Sequence, residues 1–342
     1  MKTFFTVFMA LFIAMFASAQ SVFVVQNDTS SSAYLTLQAA VDAAIPGDYI
    51  YIPGGNFTIG DLQIDKQLHI IGAGHYPDST QATGRTNLAG NIIFNTGADH
   101  STLQGIYLEN DISFGKDIDH GVVSNVFISR CNVNKLYFTY KGSPSTNCGA
   151  SNVYVKDCII RGDLSGGYSY GHVVENTILS GCLNYISGNF QFRNCIFTNM
   201  SYYLLYNVSS TLFSNCIIPS AGYLIWSNPA KCTFNNCVMN NYWGGRTEAN
   251  FYDCLYLEDV KTVFKDVPEY KFDYKYDFHL NDSTIANTAG TNGTQCGIYG
   301  GENPFKEGGV PINPHIQFKK IPNSTDSQGK LNIEVRVKAQ EN

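Results

Sequence analysis

Three ionisable side chains in the middle of the chain, Arg161, Asp163 and His172, are of types that can transfer protons or bind charge. A basic side chain can remove a proton from a carbon, provided that the negative charge of an acidic substrate is neutralised. Calcium does this when carboxylates hold it, and Asp157 together with Asp163 could do so. Charged loop residues that only keep the surface soluble account for the same pattern. The sequence therefore leaves catalysis open.

Aromatic residues are the second set with chemical potential, because they recur after each copy of a repeated phrase. Tyrosine and tryptophan combine an apolar ring face with a polar tip, which suits stacking on sugar rings. Inward packing of some rings is the alternative. We predict a glycan-binding strip along one outer face, formed by Tyr137, Tyr140, Tyr185, Tyr206, Tyr223 and Trp226.

The repeated phrase occupies the chain from Val126 to Tyr256. It consists of alternating apolar residues, an Asn or Asp, a Cys and two further apolar residues. Aligned on the Cys position, successive copies are 27, 19, 18, 21, 21 and 17 residues apart. A repeat near twenty residues indicates a solenoid, in which each repeat forms one coil. The aligned positions are Cys131, Cys158, Thr177, Cys195, Cys216, Cys237 and Cys254.

Each phrase predicts a strand, a tight corner and a second strand. Asn and Asp tolerate the left-handed backbone conformation of such a corner, so we expect an irregular corner at Arg130, where neither is present. A leucine-rich repeat is the main alternative, but the Leu framework is missing and the segments between phrases do not suit packed helices. We therefore predict an all-β fold, a right-handed parallel β-helix. The corner ladder would contain Asp157, Asn176, Asn194, Asn215, Asn236 and Asp253.

Cysteines at the repeat position would stack as neighbours in adjacent coils. Buried unpaired Cys behaves as a small hydrophobic residue, so we expect a core ladder of free thiols. The apolar residue after each Cys would then face outward, and either the C-terminal hairpin or a partner would cover that row. Metal binding is not indicated, since no Cys-x-x-Cys or His pair is present. Pairing stays open for Cys148, Cys182, Cys232 and Cys296.

The two ends of the chain have their own signals. Residues 1–19 have the pattern of a signal peptide, with an apolar run before Ala17-Ser18-Ala19. This pattern predicts a secreted protein, whether extracellular, cell-surface or periplasmic. The spacing of Leu37, Ala40, Val41 and Ala44 predicts a short helix that caps the open end of the solenoid. We place the β-helix at residues 20–300 and an extension with a β-hairpin at residues 301–342.

The net charge of −6 makes nucleic acid an improbable partner, because no basic stripe is present to displace its counterions. The apolar run of the signal is too short to span a membrane. The sequence predicts no cofactor apart from calcium, and it leaves the oligomeric state open.

Two segments, TLQAAVDAAIPGDYIYIPGGNF and LQIDKQLHIIGAG, resemble the N-terminal part of the β-helix in members of the pectin-lyase-like superfamily. GAGHYPDSTQATGRT and DFHLNDSTIANTAGTNGTQCGIYGG resemble secreted bacterial β-helix repeat proteins still more closely. The resemblance covers most of residues 22–300 and implies the fold. It implies no particular reaction, because the Gly-His-Gly, paired-Asp and pectinesterase motifs of the superfamily are missing. Asp117-Ile118-Asp119-His120 is faintly similar to an element of pectate lyases, and a polar turn is the alternative.

These observations predict a secreted β-helix that binds extended polysaccharide along one side. A polysaccharide lyase or hydrolase is one alternative, and Arg161, Asp163 and His172 would carry its catalysis. A non-catalytic surface or adhesive repeat protein is the other.

Overall fold

The computed structural model describes residues 21–117, 121–142, 149–198, 203–218, 223–226, 231–240 and 248–339. The predicted signal peptide, residues 118–120 and the loop that contains Cys148 lie outside the described residues. The described chain is predominantly β, and its long parallel sheets are compatible with a parallel β-helix. No helix among the described segments is long and apolar enough to cross a membrane.

Successive coils pair in parallel at three places, which we call sheets 1, 2 and 3. Two further strands, Phe23–Gln26 and Ser31–Tyr34, extend the first edge of sheet 1 by antiparallel pairing. Sheets 2 and 3 are parts of one sixteen-stranded sheet, in which the long strands Gly55–Ile64 and Thr86–Phe94 pair along their length. Thr86–Phe94 joins the two parts, because it also pairs with the first short strand of sheet 2 and with the first short strand of sheet 3.

The strands of sheet 1 are, in hydrogen-bonded order, Ser31–Tyr34, Phe23–Gln26, Tyr49–Tyr51, His69–Ile71, Thr102–Gln104, Phe127–Ser129, Tyr154–Lys156, Val173–Glu175, Gln191–Arg193, Leu212–Ser214, Thr233–Asn235 and Asn250–Tyr252. After the two long strands, sheet 2 continues with Tyr107–Leu108, Asn132–Val133, Ile159–Ile160, Ile178–Leu179, Ile196–Phe197, Ile217–Ile218, Val238–Met239 and Leu255–Tyr256. Sheet 3 continues with Ile112–Phe114, Leu136–Tyr137, Leu164–Ser165, Leu183–Asn184, Tyr203–Tyr206 and Tyr223–Trp226. Val122–Ser124 and Gly149–Ser151 form a separate parallel pair.

The corner between sheets 1 and 2 has the predicted left-handed backbone in every repeat. The φ angles of the six Asn and Asp residues range from 47° at Asn176 to 56° at Asn215. The prediction of an irregular corner at Arg130 was wrong, since its φ is 52°. Its guanidinium lies 3.8 Å from the Asp157 carboxylate and donates to the Val310 carbonyl, and these contacts stabilise a conformation that a long side chain otherwise disfavours.

The Cys ladder next to this corner is made of free thiols. The described cysteines form no disulfide. Each thiol of the ladder donates to the carbonyl two residues earlier, as Cys131 does to Ser129 at 3.1 Å and Cys216 does to Ser214 at 3.3 Å. Thr177 makes the same bond to Glu175 at 2.9 Å. A hydroxyl therefore replaces a thiol in this position and keeps the hydrogen bond to the carbonyl two residues earlier.

The interior of the solenoid continues this register with stacked aromatic rings. Phe192, Phe213, Phe234 and Phe251 stack with centroid separations of 5.1, 4.6 and 4.9 Å. Such separations match the distance between neighbouring strands of a sheet. Coil stacking thus places identical side chains in direct contact, which stabilises the core by burial of apolar area.

The helix Leu37–Ala43 caps the first coil, as the apolar spacing predicts. The Thr36 hydroxyl accepts from the Ala39 N–H at 3.2 Å and begins the helix. Its buried side chains are Leu37, Ala40 and Val41. At the other end, Lys66 Nζ donates to the carbonyl groups of Val41 and Ala44, both at 3.2 Å.

The aliphatic row outside sheet 2 is covered, but by a different segment from the one predicted. Residues 257–312, which we call the return segment, follow the last coil and contain the helical turn Val260–Val263, the antiparallel pair Phe264–Asp266 and Asp277–Leu280, and the turns Ile285–Asn287 and Thr291–Gly293. A second apolar cluster joins it to the aliphatic row, namely Ile159, Ile178, Ile196, Ile217 and Val238 against, among others, Val260, Val263, Phe264, Phe278, Leu280 and Ile298.

Hydrogen bonds show that the end of the return segment runs back toward the first coils. The Asn236 amide donates to the Ala289 carbonyl at 3.2 Å, and the Gly297 N–H donates to the Asn215 carbonyl at 2.8 Å. The Arg130 guanidinium reaches Val310 at 3.0 Å. The corner ladder thus also anchors the return segment.

The predicted C-terminal hairpin is present as His315–Lys320 paired with Glu334–Lys338. Its residues are exposed apart from the half-buried His315, so it does not cover the aliphatic row. The short turn Asp78–Thr80 and the turn Tyr140–Gly142 complete the described elements.

Candidate functional site

The three predicted catalytic residues lie in two different environments. Arg161 and Asp163 flank the corner between sheets 2 and 3, whereas His172 precedes the sheet 1 strand Val173–Glu175. His172 is fully buried, with its ring 4.1 Å from that of Phe138 and 4.5 Å from that of Phe190. Its Nδ1 accepts from the Val153 N–H, and burial lowers its pKa to about 3. His172 is therefore a neutral core residue, and the expected cluster is not assembled.

Arg161 holds neighbouring coils together. Its guanidinium donates to the carbonyls of Leu108 at 2.6 Å and Glu109 at 3.0 Å. It also lies over the ring of Tyr107, 4.4 Å from the centroid, and donates to the Tyr107 hydroxyl. The hydrogen-bond donors of Arg161 are therefore used for contacts within the chain.

The two carboxylates proposed for calcium also have separate partners. Asp163 accepts from the Cys182 N–H at 3.0 Å and lies 3.4 Å from Lys135 Nζ. Asp157 is buried beside Arg130 at the other corner of the coil. Within the described part of the chain, no three His, Cys, Asp or Glu side chains form a group that could hold a metal ion.

The predicted aromatic strip lies on the outer face of sheet 3, but it is interrupted. Strand pairing aligns Tyr137 with Ser165, then with Asn184, Tyr206 and Trp226. Two polar residues thus separate Tyr137 from Tyr206. Tyr185 is 40% exposed, and its ring lies 5.2 Å from that of Tyr206.

The other predicted members of the strip do not continue the row of Tyr137 and Tyr206. Tyr140 begins a turn after Tyr137, and the backbone of Tyr223 pairs with Tyr203. The side chains of Tyr223 and Trp226 lie outside the described part. The four described rings, those of Tyr137, Tyr140, Tyr185 and Tyr206, are exposed or half-buried, so none of them is a core residue.

A second row of rings, which the repeat analysis missed, lies on the outer face of sheet 1. We call it the outer row, and its members occupy the same position of five successive strands. All five are at least partly exposed. The outer row consists of Tyr49, His69, Thr102, Phe127 and Tyr154.

Contacts along the outer row fix its rings. The centroids of Tyr49 and His69 are 4.7 Å apart, and those of Phe127 and Tyr154 are 5.4 Å apart. Thr102 lies between the two pairs, with its hydroxyl 3.1 Å from His69 Nδ1. Partial burial lowers the pKa of His69, which favours the neutral ring. The row therefore combines ring faces with hydroxyl and imidazole groups that can bind sugar hydroxyls.

The Tyr154 end of the outer row carries a carboxylate partner. The Tyr154 hydroxyl donates to Glu175 at 2.5 Å. Burial and this bond raise the pKa of Tyr154 well above its ordinary value, so the phenol stays protonated. The ring is thereby held in place beside that of Phe127, with an angle of 41° between the two ring planes.

A pocket of about 160 Å³ lies beside the outer row, between sheet 1 and the end of the return segment. Its lining includes Phe127, the ion pair of Arg130 with Asp157, and two lysines, Lys156 and Lys306. Burial raises the pKa of Asp157 to about 6, although the neighbouring Lys156 and Arg130 oppose the shift. The one sign of this ion pair in the sequence is the Arg that replaces Asn at the first corner.

Comparison with known proteins does not assign the chain to a family. No family model matches, and no solved structure matches. The F-box protein SKIP5 of Arabidopsis thaliana is 40% identical over 57 residues, which are 16% of this chain and 21% of that protein. The chain thus matches about a fifth of the length of this relative.

Proposed function

We propose that the protein is secreted and binds an extended polysaccharide along the outer row of sheet 1. The observation that carries this proposal is the alignment of four partly exposed rings, with Thr102 between the two pairs, on five successive parallel strands. Parallel strands are about 4.8 Å apart, which is close to the advance of one sugar residue in an extended chain. Equivalent side chains can therefore contact successive sugars.

Export rests on the signal-like residues 1–19. The right-handed coil and the relation to the pectin-lyase-like superfamily rest on the sequence resemblance and on the parallel sheets, and they belong to the same proposal. Catalysis is not part of the proposal, because Arg161 and His172 form hydrogen bonds within the fold. The interrupted strip on sheet 3 is the competing location for the same glycan.

The test begins with a glycan array on the purified mature chain and continues with two double variants. Tyr49→Ala with Tyr154→Ala removes rings from the outer row, whereas Tyr185→Ala with Tyr206→Ala removes rings from the strip on sheet 3. We expect the first pair to weaken binding of the best array ligand at least tenfold, about 1.4 kcal/mol. The second pair should change affinity less than twofold, with both proteins folded by circular dichroism.

The opposite pattern would place the glycan on sheet 3 and would overturn the choice of face. An array without any ligand would overturn glycan binding itself and favour the structural or adhesive alternative.

A further inference from the structure

The pocket beside the outer row has two walls of different origin. Strands of sheet 1 provide Phe127, Ser129 and Lys156, and the end of the return segment provides Lys306. Its volume of about 160 Å³ is many times the roughly 10–15 Å³ of cavity space that one water molecule needs. A small charged group fits this space.

Ser129 contributes a buried hydroxyl to the pocket. It is 3% exposed, and its hydroxyl has no hydrogen-bond partner among the described residues. A buried hydroxyl without a partner costs about 1–3 kcal/mol, so a ligand that accepts its proton would recover this free energy.

The charges of the lining favour an anion. Arg130, Lys156 and Lys306 are cationic, and Asp157 is the carboxylate among the lining residues. Arg130 shares its guanidinium between Asp157 and the Val310 carbonyl. Glu175 lies beside Lys156 on the next strand, but it accepts from the Tyr154 hydroxyl. A surplus of positive charge therefore remains in a chain whose net charge is −6.

The register connects the pocket to the outer row. Phe127 pairs with Tyr154, and two residues further along the same strands Ser129 pairs with Lys156. Two residues of a strand span about 7 Å, roughly the width of a sugar ring with its substituent. A sugar stacked on Phe127 and Tyr154 would therefore direct a substituent toward Ser129 and Lys156.

We propose that the pocket binds an oxyanion on the glycan, either a sulfate ester or a carboxylate, with Ser129, Lys156 and Lys306 as its donors. This inference rests on the proposed function, because it identifies the polysaccharide as an anionic one. The end of the return segment is then part of the binding site, since it supplies Lys306.

The experiment compares a double variant, which carries both Lys156→Gln and Lys306→Gln, with the control variant Lys275→Gln. Lys275 is an exposed lysine elsewhere on the return segment. Calorimetry would use neutral, sulfated and uronate oligosaccharides of equal length. We expect the wild type to bind the sulfated or the uronate series at least tenfold more tightly than the neutral one. The double variant should reduce this preference below twofold and leave affinity for the neutral series unchanged.

The two anionic series distinguish the sources of the charge. Equal affinity for all three series would overturn the proposal, and so would an unchanged preference in the double variant. Ser129→Ala supplies a second, smaller substitution and should weaken the preference at least threefold if the double variant does not fold.

Inorganic sulfate separates failure of this site from failure of glycan binding. At constant ionic strength, sulfate should raise the unfolding temperature relative to chloride by more in the wild type and in the Lys275→Gln protein than in the double variant, which keeps only the general stabilising effect of sulfate. This result without any glycan ligand would leave the pocket established and the polysaccharide proposal overturned. An equal sulfate effect in the wild type and in the double variant would overturn the pocket as an anion site.

Discussion

Sheets 1 and 2 enclose the same core, but their outer faces differ in what covers them. From Ile159 to Val238 the outward residues of sheet 2 are aliphatic, and the return segment buries them in a second apolar cluster. The outer row of sheet 1 consists mainly of rings with polar groups and stays partly exposed. An aliphatic row has no polar atoms to meet water, so it needs a cover, whereas tyrosine and histidine tolerate exposure. The side-chain type on an outward row therefore distinguishes a packing face from a contact face.

The largest expected effect tests this distinction within one coil. Ile217 is fully buried under the return segment, and Leu212 occupies a half-buried outward position on sheet 1. Ile217→Ala should reduce the free energy of unfolding by about 2–5 kcal/mol, because it leaves a cavity between two packed layers. Leu212→Ala should cost less than about 1 kcal/mol, since water already contacts that side chain. Urea unfolding of both variants measures the difference.

Equal losses from the two substitutions would contradict the comparison, because they would show that both faces are packed to the same extent. Hydrogen exchange adds a local readout: protection in residues 257–312 should fall in Ile217→Ala and not in Leu212→Ala.

The next prediction concerns the attachment of the return segment at the first coils. His75 is fully buried there. Its backbone N–H donates to the Gly309 carbonyl at 3.3 Å, and its ring Nδ1 lies 3.1 Å from the Tyr274 hydroxyl. Burial, helped by the charges of Arg85 and Arg161, lowers the pKa of His75 to about 3. An unfolded chain binds a proton at His75 near pH 6.5, so the folded state loses stability as the pH falls from 6.5 toward 3.

His75→Gln keeps a hydrogen-bond partner for Tyr274 but does not titrate. The stability difference between wild type and variant should therefore shrink by about 1.4 kcal/mol for each pH unit below 6.5, or about 2.7 kcal/mol at pH 4.5. Asp157 has the opposite sign, because its folded pKa of about 6 exceeds the unfolded value of 3.8, but it is present in both proteins and cancels. Denaturant unfolding between pH 7 and 4.5 measures this difference, and a constant difference would show that His75 is not held neutral.

The repeat made the coil and its interior predictable. Asn, Cys and the two following apolar residues recur in register, and their backbone conformation, thiol bonds and inward or outward direction follow from local chemistry. The outward direction of Ile217 and the need to cover it could also be predicted. The identity of the cover could not, because residues 257–312 contain no repeat and contact the solenoid over long sequence separations, as Arg130 does with Val310.

The candidate site was less predictable for a related reason. Tyr49, His69, Phe127 and Tyr154 lie in the early coils, where the steps between coils are unequal, so no fixed spacing relates them. Only strand pairing aligns them. The strip on sheet 3 was visible because it follows the regular phrase, and its interruption at Ser165 and Asn184 appears once the register is known. His172 was selected for its chemistry alone, which carries no information on burial.

The smallest predicted effect examines the ladder that both faces share. The Thr177 hydroxyl donates to the Glu175 carbonyl at 2.9 Å and accepts from the Cys158 N–H at 3.3 Å. Thr177→Cys restores the thiol found in the other repeats and should change the free energy of unfolding by less than about 0.5 kcal/mol, since the donor is kept. Thr177→Val has nearly the same shape but neither donates nor accepts, and it should cost about 2 kcal/mol for the two lost hydrogen bonds. If urea unfolding shows equal losses for Cys and Val, the thiols contribute only volume, and the interior of the coil is specified by packing without the hydrogen bonds to the corner carbonyls.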